Sequence, residues 1–228
     1  MLSRERKALI VLAVVGCLLA PPDHRGSREP RRPAGPPSLT TAAYGQTLPA
    51  SLRYSVVTER SEARYRVREQ LAGFDFPNDA VGVTRAVTGG IALDDQGRPR
   101  PEDSRFTVDL RELKSDKDRR DSYVRRNTLE TDRYPTVVFA PVEVRGLRFP
   151  LPASGTATFA LVGDLTVRDA TRRVTWDATA SFNGPEVGIR ARTTFRFEDF
   201  GLRVPRVSVV LSVADDIRLE VDLLLRRT

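Results

Sequence analysis

Histidine, cysteine and methionine each occur once in the 228 residues, and all three fall early, as His24, Cys17 and Met1. Beyond residue 24 the chain therefore has no imidazole and no thiol, the usual general bases, nucleophiles and transition-metal ligands. A catalytic site would have to rest on paired carboxylates, a Ser–Lys pair or a hard-metal cluster. Lysine is also scarce: after Lys7 only Lys114 and Lys117 remain, three residues apart in a charged stretch that suits a solvated surface. Asp94/Asp95 and Asp215/Asp216 sit where hairpin turns are expected, and Asp favours turns for backbone hydrogen bonding. No disulfide can form downstream of the leader, so cysteine usage does not identify the compartment. We expect a protein that is not an enzyme, with no metal and no resident cofactor.

The net charge is +7. Residues 1–50 account for +4 of it and the remaining 178 residues for +3, with both signs interleaved. Nucleic-acid surfaces cluster basic residues among aromatics. Here the basic residues alternate with apolar ones, as on the solvated face of a strand, and no nucleic-acid partner is expected.

Only one long apolar run exists. Ala8–Ala20 follows Arg4, Arg6 and Lys7 and spans thirteen residues. As a helix it would reach about 20 Å, short of the roughly 30 Å hydrocarbon core of a bilayer. Residues 1–20 therefore read as an export leader, which places the mature protein in the periplasm or elsewhere outside the cytoplasm. Val14-Val15-Gly16-Cys17 is similar to a lipoprotein processing site, although Leu18 and Leu19 prolong the apolar run. Lipidation at Cys17, ordinary cleavage and retention as a membrane anchor all stay open. Residues 21–50 hold seven prolines among Arg, Gly, Ser and Thr. That composition buries too little to offset chain entropy and reads as a disordered tether.

Residues 51–228 form the domain, and their period is two. Trp176, Ala178, Ala180 and Phe182 alternate with polar residues, as do Ile189, Ala191, Thr193, Phe195 and Phe197. The same rhythm runs through Ala63/Tyr65/Val67, Phe106/Val108/Leu110, Ala157/Phe159/Leu161 and Val207/Val209/Leu211/Val213. Such alternation marks strands with one buried face. At the C-terminus a helix would put Leu219 and Leu223 on the polar side, whereas a strand misplaces only Leu224. Turns are expected at Asp94–Gly97, Arg145-Gly146, Ser154-Gly155, Asn183-Gly184 and Asp215-Asp216. One stretch, from Ser115 to about Leu129, opens with acidic residues and carries Arg125 and Arg126 near its end, as a short helix prefers. The expected fold is all-β: an elongated antiparallel up-and-down barrel, lipocalin-like, of about eight strands with one short helix.

The order of these features resembles the YceI-like, polyisoprenoid-binding proteins. The matching pieces begin with Ser61–Val67, Val87-Thr88-Gly89-Gly90-Ile91 and Phe106–Leu110. They continue with Arg119-Arg120-Asp121, Leu129-Glu130, Tyr134-Pro135, Gly163–Val167, Arg173–Trp176 and Phe197–Gly201. Two departures stand out. Asp169 stands where many members carry glycine, and the histidine many members have near the first strand or in the short helix is missing, so no role for it carries over. The resemblance implies an exported barrel with a hydrophobic tunnel for an isoprenoid chain, such as a polyprenyl or quinone tail, and no catalytic constellation. The expected tunnel lining is Tyr65, Val67, Phe106, Val108, Phe139, Phe159, Leu161, Trp176, Phe182 and Phe195. In the competing reading the same aromatics fill a solid core, and the domain is an exported structural or interaction module. Ligand identity, membrane tethering through the N-terminus and oligomeric state stay open at this point.

Overall fold

The structure is a computed structural model that describes residues 51–73 and 75–228. The expected leader, Cys17, His24 and the proline-rich stretch up to residue 50 lie outside the described residues. Ten strands follow one another: β1 (Leu52–Val56), β2 (Glu62–Leu71), β3 (Asn78–Thr84), β4 (Val87–Leu93), β5 (Arg105–Asp109), β6 (Thr136–Arg145), β7 (Ser154–Val167), β8 (Ala170–Asn183), β9 (Glu186–Arg196) and β10 (Val210–Arg227). The short helix α1 (Asp118–Tyr123) runs on into a wider π turn over Val124–Thr128, within the expected 115–129 stretch.

Every pairing is antiparallel, and the ten strands make eight staves. One edge of β10 pairs first with β2, from Val210↔Leu71 to Asp222↔Glu62, and then with β1, from Leu225↔Val56 to Arg227↔Tyr54. β1 and β2 are thus one stave interrupted by a single 3-10 turn at Thr58–Arg60. β3 and β4 form the next stave in the same way, facing β2 and β1 in turn. From β4 the sheet runs through β5, β6, β7, β8 and β9 back to β10, and β10 against β1 closes it. Closure through β10 and β1 leaves β3, which pairs only with β2, as the strand with an open edge. The staves alternate in direction. One end of the barrel carries the β2–β3 hairpin, α1 and the 197–209 segment, and the other carries the 94–104, 146–153 and 184–185 loops.

Outward positions are charged and paired along and across strands. Arg64 bonds Glu62 and Asp222, Arg66 reaches Glu220 at 3.0 Å, and Arg190 reaches Asp222 at 3.2 Å. The interleaved signs of the sequence are therefore cross-strand neighbours on a solvated wall.

Three expectations need correction. Ser154-Gly155 is not a turn but the first step of β7, paired with Asn183 and Phe182. Asp215-Asp216 is not a turn either. Between Val213↔Glu69 and Ile217↔Val67 the register of β10 shifts, so the two aspartates ride an exposed bulge in a continuous strand. Acidic residues suit bulges as they suit turns, because both leave the backbone unpaired and turned to water. The apolar series from Val207 to Val213 is not one buried strand face: β10 begins at Val210, and Val209 and Leu211 are exposed. A second bulge, at Pro141/Glu143, flips the phase of β6, so Val137, Phe139 and Pro141 face inward before it and Val144 after it. Pro141, which has no N–H to give a ladder, sits where the ladder breaks.

Candidate ligand cavity

A cavity of about 660 Å³ occupies the barrel axis. Its lining reaches from Leu147 and Leu151 at the loop end to Leu71 and Val207 at the helix end. All ten residues expected to line a tunnel border it. Ala180 borders it too, whereas Ala178, buried in the same row of β8, does not. The volume falls within the range of roughly 300–1,000 Å³ typical of small-molecule sites.

Local rules place the large rings. Tyr65 lies across its cross-strand partner Gly82, where an added Cβ would sit 2.1 Å from the ring. Phe139 lies over Gly163 in the same way, with a ring carbon 2.5 Å from such a Cβ. Each glycine lets a ring lie flat against the wall instead of standing across the barrel. Phe139 then meets Trp176 edge-on, ring centres 5.8 Å apart at 66°. The indole N–H of Trp176 is buried and has no hydrogen-bond partner among the described residues. Phe195 meets Phe200 of the 3-10 turn after β9, centres 4.6 Å apart, and the fully buried Phe200 helps close that end.

The helix end carries the polar groups. Glu69 continues the inward row of Ala63, Tyr65 and Val67, so its carboxylate points into the barrel. Arg120 of α1 donates to it from Nη2 at 2.6 Å; the Glu69 side chain is buried (8% exposed) and that of Arg120 nearly so (14%). Arg120 also bonds Asp116 and donates to Ser115 Oγ at 3.3 Å. Asp121 accepts from the Ser115 N–H at 2.9 Å and from its hydroxyl at 2.6 Å. Lys114 and Val83 exchange backbone hydrogen bonds of 2.7 and 2.9 Å. Together these contacts latch the helical segment across the open edge of β3. Burial pushes the Tyr65 hydroxyl up to about 12; Arg120 opposes this, and Asp121, Glu69 and Asp116 add to it. The latch is absent from the expected site. Its one sequence signal was a carboxylate at position 69 in the inward phase of β2; nothing local marks Arg120 as its partner.

Residues 54–225 match the family model for the YceI-like domain. The chain is 30% identical over 177 residues to a UPF0312 protein of Pseudomonas putida, an alignment covering 74% of this chain and 85% of that protein. Among solved structures it is similar to a polyisoprenoid binding domain from Saccharophagus degradans, with TM-score 0.62 and 10% identity over 78% of this chain and 99% of that one. It is also similar to BcnA of Burkholderia cenocepacia, with TM-score 0.55 and 16% identity over 74% of this chain and 98% of that one. At such identities the structural likeness concerns the barrel itself.

Proposed function

Because the chain belongs to the YceI-like domain family, we propose that it binds one isoprenoid-type lipid, a polyprenyl or quinone tail, inside its barrel, without catalysing a reaction. The observation that carries this is the axial cavity of about 660 Å³ with an almost wholly aliphatic and aromatic lining. A barrel meant only to be packed would fill that space, since protein interiors approach crystal density. The solved Saccharophagus degradans relative, described as a polyisoprenoid binding domain, supports the choice of ligand class. The flat-lying rings of Tyr65 and Phe139 over Gly82 and Gly163 favour a long flexible chain, because they keep the axis clear rather than building a shaped socket.

The leader and the proline-rich stretch support a role outside the cytoplasm, with the barrel tethered in the cell envelope if Cys17 is lipidated. Carriage, storage or sensing of the lipid would each use the same cavity. Mass spectrometry of organic extracts, taken from the protein purified out of its native envelope, tests the proposal. A prenyl lipid close to one per chain is expected. Extracts without any lipid, from protein shown to be folded, would favour the structural or interaction module instead.

A further inference from the structure

Three large apolar side chains stand out in water among the described residues: Phe76 at 81% exposure, Leu211 at 67% and Val209 at 62%. They are far apart in sequence but share one end of the barrel. Phe76 lies in the β2–β3 hairpin loop, and Val209 and Leu211 lie where β10 begins. Pairing ties the two pieces together: Val210 faces Leu71, and the Ala72 N–H donates to the Val209 carbonyl at 3.0 Å. Leu211 is the extra residue of a bulge, since Val210 pairs with Leu71 and Ser212 already pairs with Gln70. Bulges re-aim side chains, and this one turns a leucine outward that regular pairing would have kept in the alternation.

The tip is also continuous with the cavity. Val209 borders the cavity together with Leu71, Ala72, Pro205 and Val207, so an apolar surface runs from the exposed tip to the interior. Arg203 and Arg206, on the segment leading into β10, are exposed and have no ion pair among the described residues. Asp75 is the one acid in the hairpin loop. A protruding aromatic and two aliphatics flanked by unpaired arginines match the boundary between acyl chains and anionic headgroups. They match a protein partner less well, because a hairpin loop and a bulge protrude and offer no groove or flat face.

We propose that this end of the barrel docks on an anionic lipid bilayer, with Phe76, Val209 and Leu211 dipping into the acyl boundary and Arg203 and Arg206 at headgroup level. Docking there would bring the mouth of the cavity against the membrane, so that a prenyl chain could pass between the two without crossing water. That consequence rests on the proposed lipid binding; the docking does not.

The test uses the full chain with Phe76→Trp in a Trp176→Phe background, which leaves a single indole at the tip, and vesicles of phosphatidylglycerol and phosphatidylcholine. A tip-borne reporter reads local insertion even if the leader also holds the protein on the vesicle. The expected result is a blue shift on adding vesicles, with quenching by lipids brominated along their acyl chains. Adding Leu211→Ser, or Arg203→Ser with Arg206→Ser, should weaken that response at least tenfold. Emission unchanged at saturating vesicle concentration overturns the proposal. A blue shift that needs no vesicles and grows with protein concentration overturns it too, by assigning the tip to a second copy of the chain. Lipid found in the extracts alongside a silent tip would leave the cavity reading intact and remove only the docking.

Discussion

Ala180→Phe separates a void from a solid core. Ala180 is 1% exposed and faces inward in phase with Trp176 and Phe182, beside Ala157 of β7 and Ile189 of β9. It borders the cavity. A phenyl ring placed there can turn into empty space, and burying it contributes roughly 1.5–3 kcal/mol. Local strain from enlarging a well-packed wall costs about 1–3 kcal/mol. The gain from burial and the cost of strain nearly cancel, so the ligand-free variant should stay within about 1 kcal/mol of the parent. Ala178 is also buried but does not border the cavity. Ala178→Phe lacks that escape and should lose ~1–3 kcal/mol outright. Binding should move the other way. An eight-stranded barrel leaves room for little more than one chain along its axis. A ring across that passage should therefore cost at least tenfold in affinity, about 1.4 kcal/mol. Urea denaturation of the delipidated proteins gives the first quantity, and titration with geranylgeraniol, followed by Trp176 emission, gives the second. If Ala180→Phe is destabilised as much as Ala178→Phe, or binds as well as the parent, the space around residue 180 is filled core and the reasoning fails.

Gly82→Ala should destabilise by roughly 1–3 kcal/mol and weaken prenyl binding as well, because its Cβ would meet the Tyr65 ring at 2.1 Å and force it off the wall into the axis; chemical denaturation and the same titration would show both. Glu69→Gln should cost about 1–3 kcal/mol by weakening the hydrogen bond between the buried position 69 and the partly buried Arg120, which keeps Asp116 and Ser115, whereas Glu69→Leu with Arg120→Met should recover most of that; a double-mutant cycle measures the difference. Tyr65 has a hydroxyl raised from 10.0 to about 12, so the folded state holds its proton more tightly than the unfolded chain. The stability this contributes is complete below pH 10 and is lost as pH rises from 10 towards 12, by at most about 1.4 kcal/mol per pH unit. Relative to Tyr65→Phe, the parent should therefore lose stability across that window and run parallel to the variant below it; parallel behaviour throughout would show that the hydroxyl is solvated.

Much of the barrel was legible in the chain because its walls obey a local rule. In β7, β8 and β9 every second residue faces the axis for eleven to fourteen residues without interruption, so the inward rows around Phe159, Trp176 and Phe195 could be read one strand at a time. The helical segment was legible for a similar reason, since its acidic start and basic end lie within one stretch. Where the period breaks, the local rule fails. The bulge at Pro141/Glu143 shifts the phase, and the irregularity at Val213/Ile217, which adds two residues and keeps the phase, placed two aspartates where turn chemistry looks the same as bulge chemistry.

What the sequence determined by itself was thus most of the residue set: which side chains face in and which face water wherever the period holds, and that no imidazole or thiol is among either beyond residue 24. Tertiary structure decided how that set is used. That β1 and β2 form one stave follows from β10 running along both, with partners more than a hundred residues apart in sequence. Glu69 and Arg120 meet only because α1 is carried back over the end of β2, and Phe76 joins Leu211 only because a hairpin and a late strand pair. The same inward aromatics would serve a filled core or an open one. The difference is a volume, and a volume exists only once eight staves have closed around it at a fixed radius.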